Sequence, residues 1–349
     1  MSFKVPWIDL STKFVRKQSM DAIHRVLQSG QFVGGAEVER LESSMAEWMH
    51  RSHAVALSSG SAALELGLQV MGIQSGDEVI VPAVSFFSSL GAVLRAGATP
   101  VVVDTLPSGP WIDPLAAAQA VGPKTKAVIP VHLYGTAAPP LDIGVPVFDD
   151  ACQAACPGGP SYGALTALSF YPTKTVGGVG DGGMLLTDDF QIAERVRRLR
   201  NHGFDAHGEV VERLGTNARM DALKAAVLFD QLSDIDAELD RRRSVAVALD
   251  GVVGHRAVPR SGDGPVSVYA FCHEERDRVA GALRGEGIAT AVYYPRMIHE
   301  HAAVINDVRV TGPLPNASRY CRTTLSVPCH GGLTGEQVAH MVRTLERIV

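Results

Sequence analysis

Apolar and polar positions along this chain follow two rhythms. Residues 19–29 (SMDAIHRVLQS) and 37–49 (EVERLESSMAEWM) repeat apolar side chains at helical spacing, with Gly30 and the Gly34-Gly35 pair as breaks. Short apolar runs then alternate with helical stretches. Runs at 53–57 (HAVAL), 78–81, 100–104 (PVVVD), 127–133 (AVIPVHL) and 145–149 (VPVFD) predict strands. Stretches 61–71 (closed by Gly72), 85–95 and 113–120 predict helices, the last with Asp113 and Pro114 in its first turn. Such β-α alternation implies an α/β fold with a mainly parallel sheet covered on both faces. The link at 134–144 (YGTAAPPLDIG) is too short and too rich in proline and glycine for a crossover helix, so an extended loop is expected there.

Farther on, the pattern predicts a short apolar run ending at Ser169 and Phe170, a strand at 184–187 and a basic-ended helix at 189–200. One long helical region is expected over 220–250. The rhythm then changes: strand 266–271, helix 274–284, strand 289–293 and a terminal helix 334–348 with Thr334 as N-cap. A chain of 349 residues exceeds the size at which one core stops growing. We therefore expect a large domain over 1–240, including the N-terminal helical segment, and a small α+β domain over 241–349.

Composition narrows the function classes. A net charge of −5 offers no basic surface for nucleic acid. The N-terminus has no apolar core of signal-peptide length, and no run approaches a membrane span, so a cytoplasmic protein is expected. Cys152 and Cys156 are four apart, but no second close pair completes a zinc site. No metal is expected, and all five cysteines read as reduced thiols.

Three local features carry candidate chemistry. In LSFYPTKTVGGVGDGG (168–183), Pro172 stops any helix and glycines strip bulk around Lys174. A lysine held in a tight turn suits an amine that forms and breaks a Schiff base; the alternative is a surface lysine in a Gly-rich turn. In SSGSA (58–62), a strand end meets a helix start whose free N–H groups could hold a phosphate, or Ser59 or Ser61 is an ordinary N-cap. Asp149 and Asp150 end an apolar strand, where ligands of open α/β sheets gather. If the strand continues, the two side chains point to opposite sides, so one faces a ligand; capping is the alternative for the pair.

The ordered motifs FVGGAEVERLE, ALSSGSAAL, GDEVIVPAVSFFSS, FDDACQA, SFYPTKT, RNHG, LGTNARMDALKAA, YYPRMIH and LSVPCH resemble the DegT/DnrJ/EryC1/StrS family nearly end to end. That is a family of sugar aminotransferases dependent on pyridoxal 5′-phosphate (PLP). The resemblance implies fold type I, with a seven-stranded, mainly parallel sheet covered by helices and a smaller C-terminal α+β domain. By position it implies Lys174 as the Schiff-base lysine, Asp150 on the pyridine nitrogen and Gln153 on the ring hydroxyl. It likewise implies Gly60, Ser61 and Ser169 at the phosphate, and Phe86 on the ring face. Asn217 would reach the phosphate from the neighbouring subunit of a homodimer.

The chain departs from the family in several places. Serine stands at 61 where threonine is usual, GEGG becomes GDGG at 180–183, and GYNYR becomes GTNAR at 215–219, losing both tyrosines. His202, Arg219, Arg296 and His299 are candidates for substrate carboxylate or diphosphate, each with a solvated or paired charge as alternative. His132 could touch the site, with a satisfied structural histidine as alternative. The implied activity is transfer of an amino group from L-glutamate or L-glutamine to a keto-sugar, a nucleotide-linked keto-deoxysugar first. A keto-cyclitol acceptor, or a non-catalytic PLP-binding regulator, is the alternative.

Overall fold

The computed structural model describes residues 3–14, 16–260 and 264–349. Residues 1, 2 and 15, part of the stretch read for a leader segment, lie outside these. The chain opens with α1 (Leu10–Phe14), α2 (Lys17–Ser29) and α3 (Ala36–Trp48). Then follow β1 (His53–Leu57), α4 (Gly60–Val70), β2 (Glu78–Pro82), α5 (Phe87–Arg95), β3 (Thr99–Val103), α6 (Pro114–Ala120), β4 (Thr125–Val128), β5 (Phe148–Asp150), β6 (Leu165–Ser169), β7 (Gly183–Thr187) and α7 (Phe190–Leu199).

These strands form one surface in two hydrogen-bonded blocks, β1-β7-β6-β5 and β4-β2-β3. Parallel bridges Val128 to Val147 and Val131 to Asp150 join them along the β4–β5 seam. Only β7 runs against its neighbours β1 and β6; the other pairs are parallel, as the β-α rhythm requires. The strand interiors are buried, with α4, α5 and α7 packed against the sheet through Leu64, Leu68, Leu90, Val93 and Val196. A second cluster sets α3 and α8 (Ala222–Leu232) against the β1–β7 region through Leu41, Met45 and Leu228.

Beyond α9 (Ile235–Val253) come β8 (Tyr269–Cys272), α10 (Arg276–Gly285), β9 (Arg309–Val310), α11 (Pro315–Thr323), β10 (Thr324–Val327) and α12 (Gly335–Ile348). β8 and β10 pair antiparallel, and Tyr269, Phe271, Leu283, Leu325 and Met341 form their core with α10 and α12. Val5 from the N-terminus is buried in that core and bridges to Ile288. β9 adds itself to the edge of the large sheet beside β3. The boundary expected at 240–241 falls inside α9. Leu239 on this helix packs in the α3–α8 cluster, whereas Val245 and Leu249 pack in the C-terminal core. Among the described residues no helix is long and apolar enough to cross a membrane.

Some elements differ from their sequence expectation. The region 220–250 is two helices, broken at Ser233 and Asp234. The Ser233 hydroxyl donates to the Asp230 carbonyl (2.7 Å), a local bond that competes with helix continuation. β4 stops at Val128 rather than reaching Leu133, since Pro130 has no N–H to give a ladder. Residues 289–293 hold one bridge, Ala291 to Ser326, instead of a strand. The loop after Gly135 is extended, as expected, and the terminal helix starts with a full capping box between Thr334 and Gln337.

Candidate active site

Leu57, Gly183 and Ser169 stand side by side in register across β1, β7 and β6. This places the ends of β1 and β6 beside that of β5, so the Ser59–Gly60 turn, Ser169 and Asp150 open on one edge of the sheet. The packing allows nothing larger. A Cβ on Gly183 would overlap the Ser59 carbonyl, and one on Gly60 would lie 2.8 Å from the Ser169 Cβ and 2.9 Å from the Cys152 Sγ. The Ser59 hydroxyl accepts from the Ala62 N–H (3.1 Å) as N-cap. The N–H groups of Gly60 and Ser61, at the start of α4, have no acceptor within the helix and stand beside the Ser169 side chain. With the helix dipole they form a seat for an anionic group.

Asp150 is 5% exposed. Its Oδ2 accepts from the Ser89 hydroxyl (2.7 Å), itself bonded to Ser85 (2.8 Å), and its Oδ1 accepts from the Cys152 N–H (3.2 Å). Among the described residues no cationic side chain forms an ion pair with it. A buried carboxylate held by neutral donors leaves room for a positive charge supplied from elsewhere, as a protonated ring nitrogen would.

Gln153 is aimed by its Oε1, which accepts from the Tyr134 N–H (3.0 Å). Tyr134 in turn donates its hydroxyl to the Tyr293 carbonyl and accepts from Tyr320 (3.0 Å). Lys174 sits in a turn closed by its own N–H on the Tyr171 carbonyl (2.8 Å). Burial pulls its amine below the ordinary lysine value, while Cys152 and Asp150 pull the other way. A depressed value makes the neutral, nucleophilic amine available nearer neutral pH.

The Ser59–Ser61 turn, Asp150, Gln153, Ser169 and Lys174 line one cavity of about 560 Å³. Of the residues expected at a cofactor, it brings together Gly60, Ser61, Phe86, Asp150, Gln153, Ser169 and Lys174. The donor set fits PLP: an N–H seat for phosphate, a carboxylate lacking a cation, an amide, an aromatic ring and a softened amine. Asn217 does not line it; it is exposed and accepts from Arg219 (3.2 Å). Arg219 also donates to Asn201 (2.8 Å). His202, Arg219, Arg296 and His299 likewise stand outside the cavity lining. Burial lowers the pKa of His299, and its Nδ1 has no hydrogen-bond partner.

His132 is structural. Fully buried, it bonds through Nε2 to Asp149 (3.0 Å) and accepts on Nδ1 from the Ala138 N–H (2.9 Å). Asp149 takes its other bond from the Gly163 N–H (2.6 Å), so the two adjacent aspartates divide, one to the frame and one to the cavity.

Sequence reasoning missed the aromatic side of the cavity: Trp7, Tyr171, Tyr293 and Tyr294. Trp7 packs on Tyr293 (5.7 Å between centroids), and Phe86 faces Tyr294 (6.3 Å). The YYPRMIH motif held a signal in its tyrosines, whereas Trp7 had none. Asp181, in the departed GDGG, also lines the cavity, as does Ser88, whose hydroxyl bonds that of Ser61 (2.7 Å). Among the described residues no group of three or more His, Cys, Asp or Glu could hold a metal ion.

A family model described as the DegT/DnrJ/EryC1/StrS aminotransferase family matches residues 14–346. A pleiotropic regulatory protein of Geobacillus stearothermophilus is 35% identical, covering 98% of this chain and 97% of its own. The dTDP-3-amino-3,4,6-trideoxy-alpha-D-glucose transaminase of Streptomyces venezuelae is 36% identical over 97% of this chain and 94% of its own. The solved structure of S. venezuelae DesV in complex with a ketimine intermediate superposes with a TM-score of 0.92 at 34% identity, covering 99% and 98% of the two chains.

Proposed function

The chain belongs to the DegT/DnrJ/EryC1/StrS family of PLP-dependent aminotransferases, and on that premise we propose that it aminates a nucleotide-linked keto-deoxysugar at the expense of L-glutamate or L-glutamine. The observation that carries this is the convergence of Lys174, Asp150 and the Gly60–Ser61 turn on one cavity. Support for the acceptor comes from relatives named as dTDP- and UDP-sugar aminotransferases.

When bound, PLP supplies an electron sink for the carbanion formed at the donor's α-carbon. In this reading Gly60, Ser61 and Ser169 hold its phosphate, Gln153 its ring hydroxyl and Phe86 its ring face. Asp150 keeps a positive charge on the ring nitrogen. Lys174 holds the cofactor covalently between turnovers. Freed for the chemical step, its amine would take up and hand back the proton lost from the donor's α-carbon. The same amine would serve the acceptor in the opposite direction. Trp7, Tyr171 and Tyr293 shield this exchange from water and give the sugar an apolar wall.

We assign Asn217 to the phosphate of the partner subunit in a homodimer. Its exposure and its place outside the cavity of its own chain support this. The second reading, a PLP-binding regulator in the cytoplasm, draws support from the name of the Geobacillus relative.

One experiment separates them. Purified protein loaded with PLP is given glutamate or glutamine, and the matching 2-oxo acid is measured; dTDP-keto-sugar, UDP-keto-sugar and keto-cyclitol acceptors are then offered in turn. Transfer to a nucleotide sugar is expected. Cofactor binding without a 2-oxo acid from either donor would favour the regulator, and transfer to the cyclitol alone would replace the acceptor class.

A further inference from the structure

We propose that Lys13, on α1, is a positioning residue for the lysine turn: its ammonium gathers the carbonyls of Pro172, Lys174 and Thr175 and so aims the Lys174 amine into the cavity. The inference rests on the reading of Lys174 as the cofactor-holding amine. The Lys13 Nζ lies 3.2 Å from the Pro172 oxygen, 2.7 Å from that of Lys174 and 3.4 Å from that of Thr175. Three protons thus meet three acceptors of a turn whose own backbone bonds are few: Lys174 N–H to Tyr171 and Gly178 N–H to Phe170. The turn is tight here: a Cβ on Gly177 would lie 2.5 Å from the Pro172 oxygen and 2.7 Å from the Nζ. Among the described residues no carboxylate forms an ion pair with Lys13, so the carbonyls are its immediate counter-dipoles.

The charged and titratable groups around it are Asp9 and Arg16 from its own stretch, Glu238, Arg241 and Arg242 from α9, and His330. Burial first, then Arg242, pull the Lys13 amine down to about 7, against the pull of Glu238. The neutral amine has two donors, so one of the three carbonyls loses its bond as the proton leaves. With Lys13 staying in its pocket when the turn opens, the local hold is tightest below neutral pH and loosens above it, whereas global unfolding, which returns the amine to water, has the opposite sign.

The test uses cofactor-free full-length wild type, K13M and K13Q, with two readouts that need no turnover. These are hydrogen-exchange protection of amides in 173–178, corrected for intrinsic rate, and affinity for added PLP. K13M should lose about tenfold in both, the worth of one charge-assisted hydrogen bond, while amides of β1 and β7 keep their protection. K13Q should fall between. Protection of the wild-type turn should drop as pH rises through about 7, and that of K13M should stay flat.

Unchanged turn protection and PLP affinity in K13M would overturn the proposal, as would a loss spread evenly over the chain. If K13M does not fold, the wild-type pH series and K13Q decide, and a pH-independent turn overturns it. Borohydride fixation of PLP on the wild type checks the premise separately. A label elsewhere than Lys174 sinks the lysine assignment itself, whereas a label on Lys174 with an indifferent turn sinks only the role of Lys13.

Discussion

On one wall of the cleft, Gly60, Asp150 and Ser169 lie at or next to strand ends, and Lys174 sits in the turn after β6. On the other, Trp7, Tyr293 and Tyr294 arrive on irregular segments from opposite ends of the chain. The first wall is fixed by sheet register, and its glycines admit no added atom at 60 or 183. The second is held by side chains, with Tyr134 and Tyr320 bracing the Tyr293 carbonyl. A cofactor of constant shape can be met by short, rigid, local patterns. A substrate that varies among relatives is met by loops whose composition can change without disturbing the sheet.

Removing the amine should break the first wall most severely. K174A should fold, by circular dichroism and thermal midpoint, yet lose the glutamate half-reaction by at least about three orders of magnitude, since both attachment and proton transfer go. D150N should cost about a hundredfold in the same half-reaction, because a neutral amide cannot balance a charged ring nitrogen. It should also depress the Lys174 amine further, by removing a field that raises it. A D150N protein turning over like wild type would erase the distinction between the walls.

On the second wall, Trp7→Ala should raise KM for the sugar acceptor about tenfold and leave the glutamate half-reaction within about threefold. An equal loss in both half-reactions would place Trp7 with the cofactor instead.

Lys13 and Lys174 both have amines pulled below the ordinary 10.5 by burial, Lys13 to about 7. Between the lowered values and 10.5 the unfolded chain holds more protons than the folded one. Stability of the cofactor-free protein therefore rises as pH climbs from about 7 toward 10.5, measurable as a higher denaturant midpoint at pH 9 than at pH 7. K13M should flatten that rise.

The smallest effect on turnover is expected at the neighbour of Asp150. D149N should destabilise by about 2 kcal/mol through its bonds to His132 and Gly163, while the folded fraction keeps its activity within about threefold.

The same division governs what could be read from the residues. The serine-glycine turn, the strand-end aspartate and the lysine turn are local patterns and meet at one cavity, whereas the apolar runs at 127–133 and 289–293 fall short of the strands their spacing suggested. Asp149 and Asp150 divide between two sides as strand alternation dictates. The aromatic wall was illegible because nothing in the sequence near Trp7 says that it packs on Tyr293. The charged candidates were picked by residue type, and type does not say which way a loop turns: His202, Arg296 and His299 stand outside the cavity lining. The break at Ser233–Asp234 was hidden because the apolar positions on either side keep a helical period across it.

The N-terminal segment bears on how the molecule is made. Val5 and Lys13 are translated early, yet Val5 finds its partners around Ile288 and Lys13 around Thr175. On the ribosome, Lys13 stays without its carbonyls until residues 172–175 have emerged, and Val5 stays bare until Ile288 has. Closure of these long loops comes late in assembly, so the cleft gains its finished shape after the sheet beneath it is already in place.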